Sequence, residues 1–91
     1  MSFMLYGVHY PNPAKEAILI EAMHTFGQLI RERTGVLWVD TFKNEKDGTI
    51  ISLAIWESKK AFQDSWPDLV KRAPSQEWEI KPREAYMMDS V

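Results

Sequence analysis

The sequence predicts an α+β fold in the order βαββαβ, with one antiparallel sheet and both helices on one of its faces. Three observations predict it. Two stretches with helical apolar spacing interrupt four stretches rich in β-branched and aromatic residues. A compact turn ending in Asp-Gly joins the second and third of those stretches into a hairpin. Right-handed crossovers then leave one economical arrangement, the ferredoxin-like split βαβ.

FMLYGVHY (3–10) reads as the first strand and stops at Pro11-Asn12-Pro13. Asn12 suits a helix cap and Pro13 the first helical position. Ile18, Ala22, Phe26, Leu29 and Ile30 mark one face of the first helix. Arg31, Glu32 and Arg33 lie in its last turn, and Gly35 ends it. VLWVDTF (36–42) and TIISLAIW (49–56) are the hairpin strands, with NEKDG (44–48) between them. Ser58 is the cap of the second helix, whose apolar stripe is Phe62, Trp66, Leu69, Val70 and Ala73. Pro67 falls inside that stripe and predicts a kink or two short helices. EWEIKPREAYMM (77–88) reads as the last strand, and Pro82 makes it an edge strand or a bulged one.

The totals bound the function. At 91 residues the chain reads as a single domain, residues 1–91. A domain of this size buries only roughly 60–65% of the surface of its unfolded chain. Yet it is 45% hydrophobic and 12% aromatic, with four tryptophans. Both hairpin strands are apolar on both faces, and such strands are covered on both faces. The helices cover one face only. A second copy of the same sheet is the economical cover for the other, so a homodimer paired through sheet faces is expected.

Net charge is −2, from 11 basic and 13 acidic residues intermixed without a basic stripe. That gives nucleic-acid binding no electrostatic footing. The absence of cysteine excludes disulfides, thiolate metal sites and a cysteine nucleophile. No signal peptide and no apolar span of about 20 residues is visible, so a cytoplasmic protein without a membrane partner is expected. Neither clustered metal ligands nor a Gly-rich phosphate loop occurs, so no metal and no cofactor is expected.

The stretch IWESKKAF, at the junction of third strand and second helix, resembles the recurring pattern of the antibiotic-biosynthesis-monooxygenase-like family of dimeric α+β barrels. GVLWVDTF is similar to that family's glycine-then-strand pattern, and the order of elements agrees over essentially the whole chain. The resemblance implies a dimeric barrel with a cleft between helices and sheet in each subunit. Its members include cofactor-independent monooxygenases acting on polycyclic phenols and haem-degrading monooxygenases. The haem-degrading members use an asparagine on the first strand, a tryptophan in the second helix and a histidine after it. Here Gly7 lies near the first place, Trp66 is displaced by one residue, and no histidine follows His24. The resemblance therefore does not carry haem degradation.

His9 ends the first strand on the face shared by Phe3, Leu5 and Gly7. There a histidine can move a proton near neutral pH, or serve only as a strand-end residue. It is the candidate catalytic residue. Tyr6 and Tyr10 fall on the opposite, dimer-facing side. Trp38, Ser52, Trp56, Phe62, Trp66 and Tyr86 are the candidates for holding a small apolar or aromatic ligand. Trp38 fits either a cleft wall or the dimer core. Trp56 fits packing as well as a cleft wall, and Ser52 fits a satisfied strand hydroxyl as well as a pocket donor. Ser58 has no neighbouring base and fits a cap rather than a nucleophile. The expected function is a cofactor-independent monooxygenase-like enzyme acting on an aromatic or hydroquinone-like molecule. The alternatives are a non-catalytic small-molecule-binding or regulatory dimer and a proton-transfer enzyme of isomerase type.

Overall fold

In the computed structural model, which describes all 91 residues, four strands form one antiparallel sheet. They are β1 (Phe3–His9), β2 (Val36–Lys43), β3 (Ile50–Trp56) and β4 (Glu84–Asp89), in the order β2-β3-β1-β4. Helices α1 (Glu16–Arg31) and α2 (Lys59–Leu69) complete the βαββαβ order. Alternation along β1 decides which residues meet them. Phe3, Leu5, Gly7 and His9 are buried, while Met4, Tyr6 and Val8 between them are not. Pairing carries the same parity across the sheet: Trp56, Ala54, Ser52 and Ile50 of β3 stand opposite Phe3, Leu5, Gly7 and His9.

The main core unites Phe3, Leu5, Ile30, Val39, Ala54, Trp56, Phe62 and Leu69, drawn from both helices and three strands. A second cluster, Leu19, Met23 and Ile50, is closed by Ile20 and Trp78. The buried positions of α1 are therefore Leu19, Met23 and Ile30, rotated from the stripe predicted through Ile18 and Leu29; Ile18 is exposed. Both stripes have helical spacing, and only contact with the sheet chooses between them.

Capping follows the sequence. Asn12 Oδ1 accepts from Ala14 N–H at 3.0 Å and starts a 3-10 turn, Pro13–Lys15, that leads into α1. Ser58 Oγ accepts from Ala61 N–H at 3.1 Å at the start of α2. Gly35 is required after α1. Its φ is +85°, and a Cβ there would lie 2.8 Å from Ala61 Cβ.

Two predicted boundaries are corrected. Helix α2 runs through Pro67 to Leu69 and tightens into a 3-10 turn, Val70–Arg72, so it is not broken into two helices at Pro67. The carbonyl deprived of its donor belongs to Gln63, which lies on the exposed side where water can serve it. The predicted strand 77–88 is a strand only from Glu84. Gln76–Trp78 is a 3-10 turn, and Pro82 lies in the connection. β4 is the edge strand that proline had indicated.

The face away from the helices is uncovered in the single chain. Trp38 and Phe42 of β2, their rings tilted and 5.9 Å apart, are exposed there. Met4, Tyr6, Val8, Ile51, Leu53 and Ile55 share that face, and none is buried. No helix is long and apolar enough to cross a membrane.

Ser58→Ala is expected to lower stability by about 1 kcal/mol, as the loss of a helix cap does. Urea unfolding measures it, and ligand binding in the cavity described next should be unchanged, because Ser58 does not line it.

Candidate functional site

A cavity of about 350 Å³ lies between the helices and the inner face of the sheet. Its origin is a row of small side chains. Thr41, Ser52, Gly7 and Ala85 are register partners across all four strands. At that level no side chain is long enough to reach the helices, and Gly27 of α1, facing Val39, adds no side chain to the cavity either. The next row, Val39, Ala54, Leu5 and Met87, forms one flank. Met23 and Phe26 of α1 and Trp66 and Val70 near the end of α2 make the apolar roof.

The polar end is set by His9. Its Nδ1 lies 3.1 Å from Glu79 Oε2, and the other carboxylate oxygen accepts from Tyr10 N–H at 2.9 Å. The Glu79 side chain is 0% exposed. Arg83 Nη2 stands 2.5 Å from Glu79 Oε2 as a charge contact off hydrogen-bond alignment, and Arg83 Nε is buried without a partner. Glu79 as a carboxylate only accepts, so Nδ1 carries the proton and the neutral ring keeps its lone pair on Nε2. That nitrogen lies above Gly7, 3.4 Å from where a Cβ would be. A Cβ there would also collide with Ser52 Oγ. Gly7 thus holds open the space that Nε2 and the Ser52 hydroxyl both border. Burial pushes the His9 pKa below the ordinary histidine value, against the opposing pull of the hydrogen bond to Glu79. The ring is therefore neutral at neutral pH.

The structure brings three of the predicted site residues to this cavity: His9, Ser52 and Trp66. Four lie elsewhere. Trp56 is fully buried in the core, with Phe62 packed edge-on against it at 5.0 Å. Phe62 in turn stacks behind Trp66 at 5.3 Å, so Trp56 and Phe62 support the wall without lining it. Trp38 pairs with Ile55, whose side is the outer face, so it does not wall the cavity. Tyr86 pairs with Tyr6 and also faces outward. There Glu84 accepts hydrogen bonds from both Tyr10 and Tyr86, which pushes Tyr10 up to about 12 and raises Tyr86. Sequence reasoning missed Glu79 and Arg83. Their spacing of four residues was visible, but the partner that gives it meaning, His9, is 70 residues away.

No family model matches the chain, and no curated protein matches it. Solved structures do match, over nearly the whole chain. The Mycobacterium tuberculosis protein Rv0793 superposes with a TM-score of 0.86 at 14% identity, covering 100% of this chain and 96% of its own. A structure described as an antibiotic biosynthesis monooxygenase gives 0.76 at 17% identity and 98% of each chain. A variant of SnoaB, a cofactor-independent oxygenase from Streptomyces nogalater, gives 0.79 at 13% identity, covering 98% and 92%. The fold is thus that of the antibiotic-biosynthesis-monooxygenase-like proteins, as the IWESKKAF junction implied.

A lowered histidine pKa has a signed consequence for stability. Above the ordinary value His9 is neutral folded and unfolded alike. As pH falls through that value the unfolded chain takes the proton first, so stability declines until the folded pKa is reached. NMR titration should place the His9 midpoint below the ordinary histidine value, and His9→Gln should flatten this part of the stability profile.

Proposed function

We propose that the protein is a cofactor-independent monooxygenase-like enzyme acting on an aromatic, hydroquinone-like molecule held in the cavity. The observation that carries this reading is the neutral His9 whose free Nε2 borders an apolar cavity, with its other nitrogen anchored to a buried carboxylate. A base of this kind takes a proton from a bound hydroxyl, and its efficiency is greatest when its pKa lies near the working pH. The resulting substrate anion is electron-rich enough to react with dioxygen. One oxygen atom enters the product, the other leaves as water, and all four electrons come from the substrate. The likeness in fold to SnoaB, named a cofactor-independent oxygenase, supports the reaction class. Trp66 and Phe26 would hold the flat ring, with their own rings 6.3 Å apart and edge-on.

The same geometry serves proton transfer without oxygen, and the His9–Glu79 contact supports that second reading equally. Oxygen consumption separates the two. We also assign the uncovered outer face to a second copy of this chain, because its exposed aromatic and aliphatic side chains are what a homodimer core contains.

An oxygen electrode with an electron-rich naphthol or hydroquinone should register consumption. His9→Ala should reduce it by about 10²-fold or more, in line with the loss of a general base. Trp66→Ala should act mainly on KM. Isomerised product without oxygen uptake would favour proton transfer. Bound substrate that is never converted would leave only a binding protein. Sedimentation at low micromolar concentration should give a dimer, and a folded monomer there would sink the face-pairing assignment.

A further inference from the structure

The three groups that make the polar end of the cavity sum to zero in charge before any substrate enters. Glu79 carries the negative charge, Arg83 the positive, and His9 is neutral. Two further carboxylates, Asp40 and Glu84, border the cavity, and like Lys43 their charged ends are turned to other partners. Lys43, at the end of β2, is held by Glu16 of α1 at 3.1 Å. Glu84 is clamped on the outer face by two phenols. Asp40 is exposed on the outer face and accepts from its neighbour Thr41 N–H at 2.8 Å. Arg83 is therefore a cation whose charge is already answered, although its buried Nε still lacks an acceptor.

We infer that Glu79 and Arg83 form a specificity-determining pair that admits a neutral, weakly acidic hydroxyl compound and rejects a carboxylate of the same shape. This rests on the cavity being the substrate site. A neutral phenol or enol brings no charge into the apolar cavity. When its O–H bond breaks, the proton goes to His9 Nε2 and the electron pair stays on oxygen. One imidazolium and one oxyanion then appear together, beside a carboxylate and a guanidinium respectively, and the sum remains zero. Glu79 steadies the imidazolium as it forms, and the unpartnered Arg83 N–H can donate to the oxyanion. A ready-made carboxylate breaks this balance. It brings a charge into a low-dielectric space whose only cation is already paired, and such a charge is expelled or must be neutralised. Glu79 is thus a positioning residue for His9 and the filter against anionic ligands at once.

The test is binding, which needs no turnover. Calorimetric titration at neutral pH compares 1-naphthol with 1-naphthoate, two aromatics that differ chiefly in charge. The wild-type protein is expected to bind the naphthol at least about tenfold more tightly, a difference of about 1.4 kcal/mol. Glu79→Gln frees the charge of Arg83 and should narrow or reverse that ratio. Arg83→Gln leaves Glu79 unanswered and should widen it, which keeps the inference testable if the first variant does not fold. Equal wild-type affinities, or a ratio unmoved by the folded variants, would overturn the inference. The expected ratios without any oxygen uptake would retain the filter while discarding the oxygenase reading.

Discussion

Glu79 lies where the chain leaves the second helix and returns to the sheet, and its carboxylate is wholly out of water. A buried carboxylate without partners costs several kcal/mol, so it dictates what surrounds it. Here three groups answer it: Tyr10 N–H, the His9 ring and the Arg83 guanidinium. Two backbone bonds fasten the same junction, Asn12 N–H to Trp78 O at 2.9 Å and Ile80 N–H to Tyr10 O at 2.8 Å. The connection from α2 to β4 is thereby pinned to the end of β1. Trp78 is seated against Leu19, Met23 and Ile50, and the pairing of β4 with β1 starts with Glu84 opposite Val8. One anion thus fixes the last crossover and the orientation of the histidine together.

The inner and outer faces of the sheet meet different packing demands. On the inner face the space beneath the helices is least filled at one level. At that level Thr41, Ser52, Gly7 and Ala85 leave a void that van der Waals contact would otherwise occupy. Such a void forfeits packing contacts, and in a domain of this size there is little surplus to cover the loss. A cavity kept under those conditions, with a buried ionic cluster at one end, has the composition of a binding site: mostly apolar walls and a few convergent polar groups.

Most of the fold was legible in the sequence because its signals are local. Caps at Asn12 and Ser58, the Asp-Gly turn and the alternation through Phe3, Leu5, Gly7 and His9 each act over a few residues. Alternation alone placed His9 opposite Tyr6 and Tyr10. The failures are those of information that is not local. Trp38 and Tyr86 carry no local mark of the face they choose; β2 takes its parity from register with β3 after a bulge between Val36 and Trp38. Trp56 and Phe62 have the composition of a ligand wall, and only the third ring, Trp66 lying over Phe62, shows them to be one layer too deep. Residues 77–83 alternate like a strand, yet after the 3-10 turn Gln76–Trp78 they keep only one antiparallel bridge, Glu79 opposite Pro11.

Strand β4 connects the two faces. Ala85 and Met87 border the cavity, whereas Tyr86 and Met88 pair with Tyr6 and Met4 on the outer face. At the start of β4, Glu84 is held outward by Tyr10 and Tyr86, and its neighbour Arg83 turns inward to Glu79. β4 is an edge strand with hydrogen bonds on one side only and no buried residue of its own, which places it at the low end of local stability. A partner laid on the outer face, as we propose, therefore bears directly on the strand that follows Arg83. Covering Tyr6, Tyr10 and Tyr86 in that way would remove water from the Glu84 clamp, strengthen its hydrogen bonds and limit the fraying of β4. Assembly of that kind would link the order of the ionic cluster to the outer face through this strand.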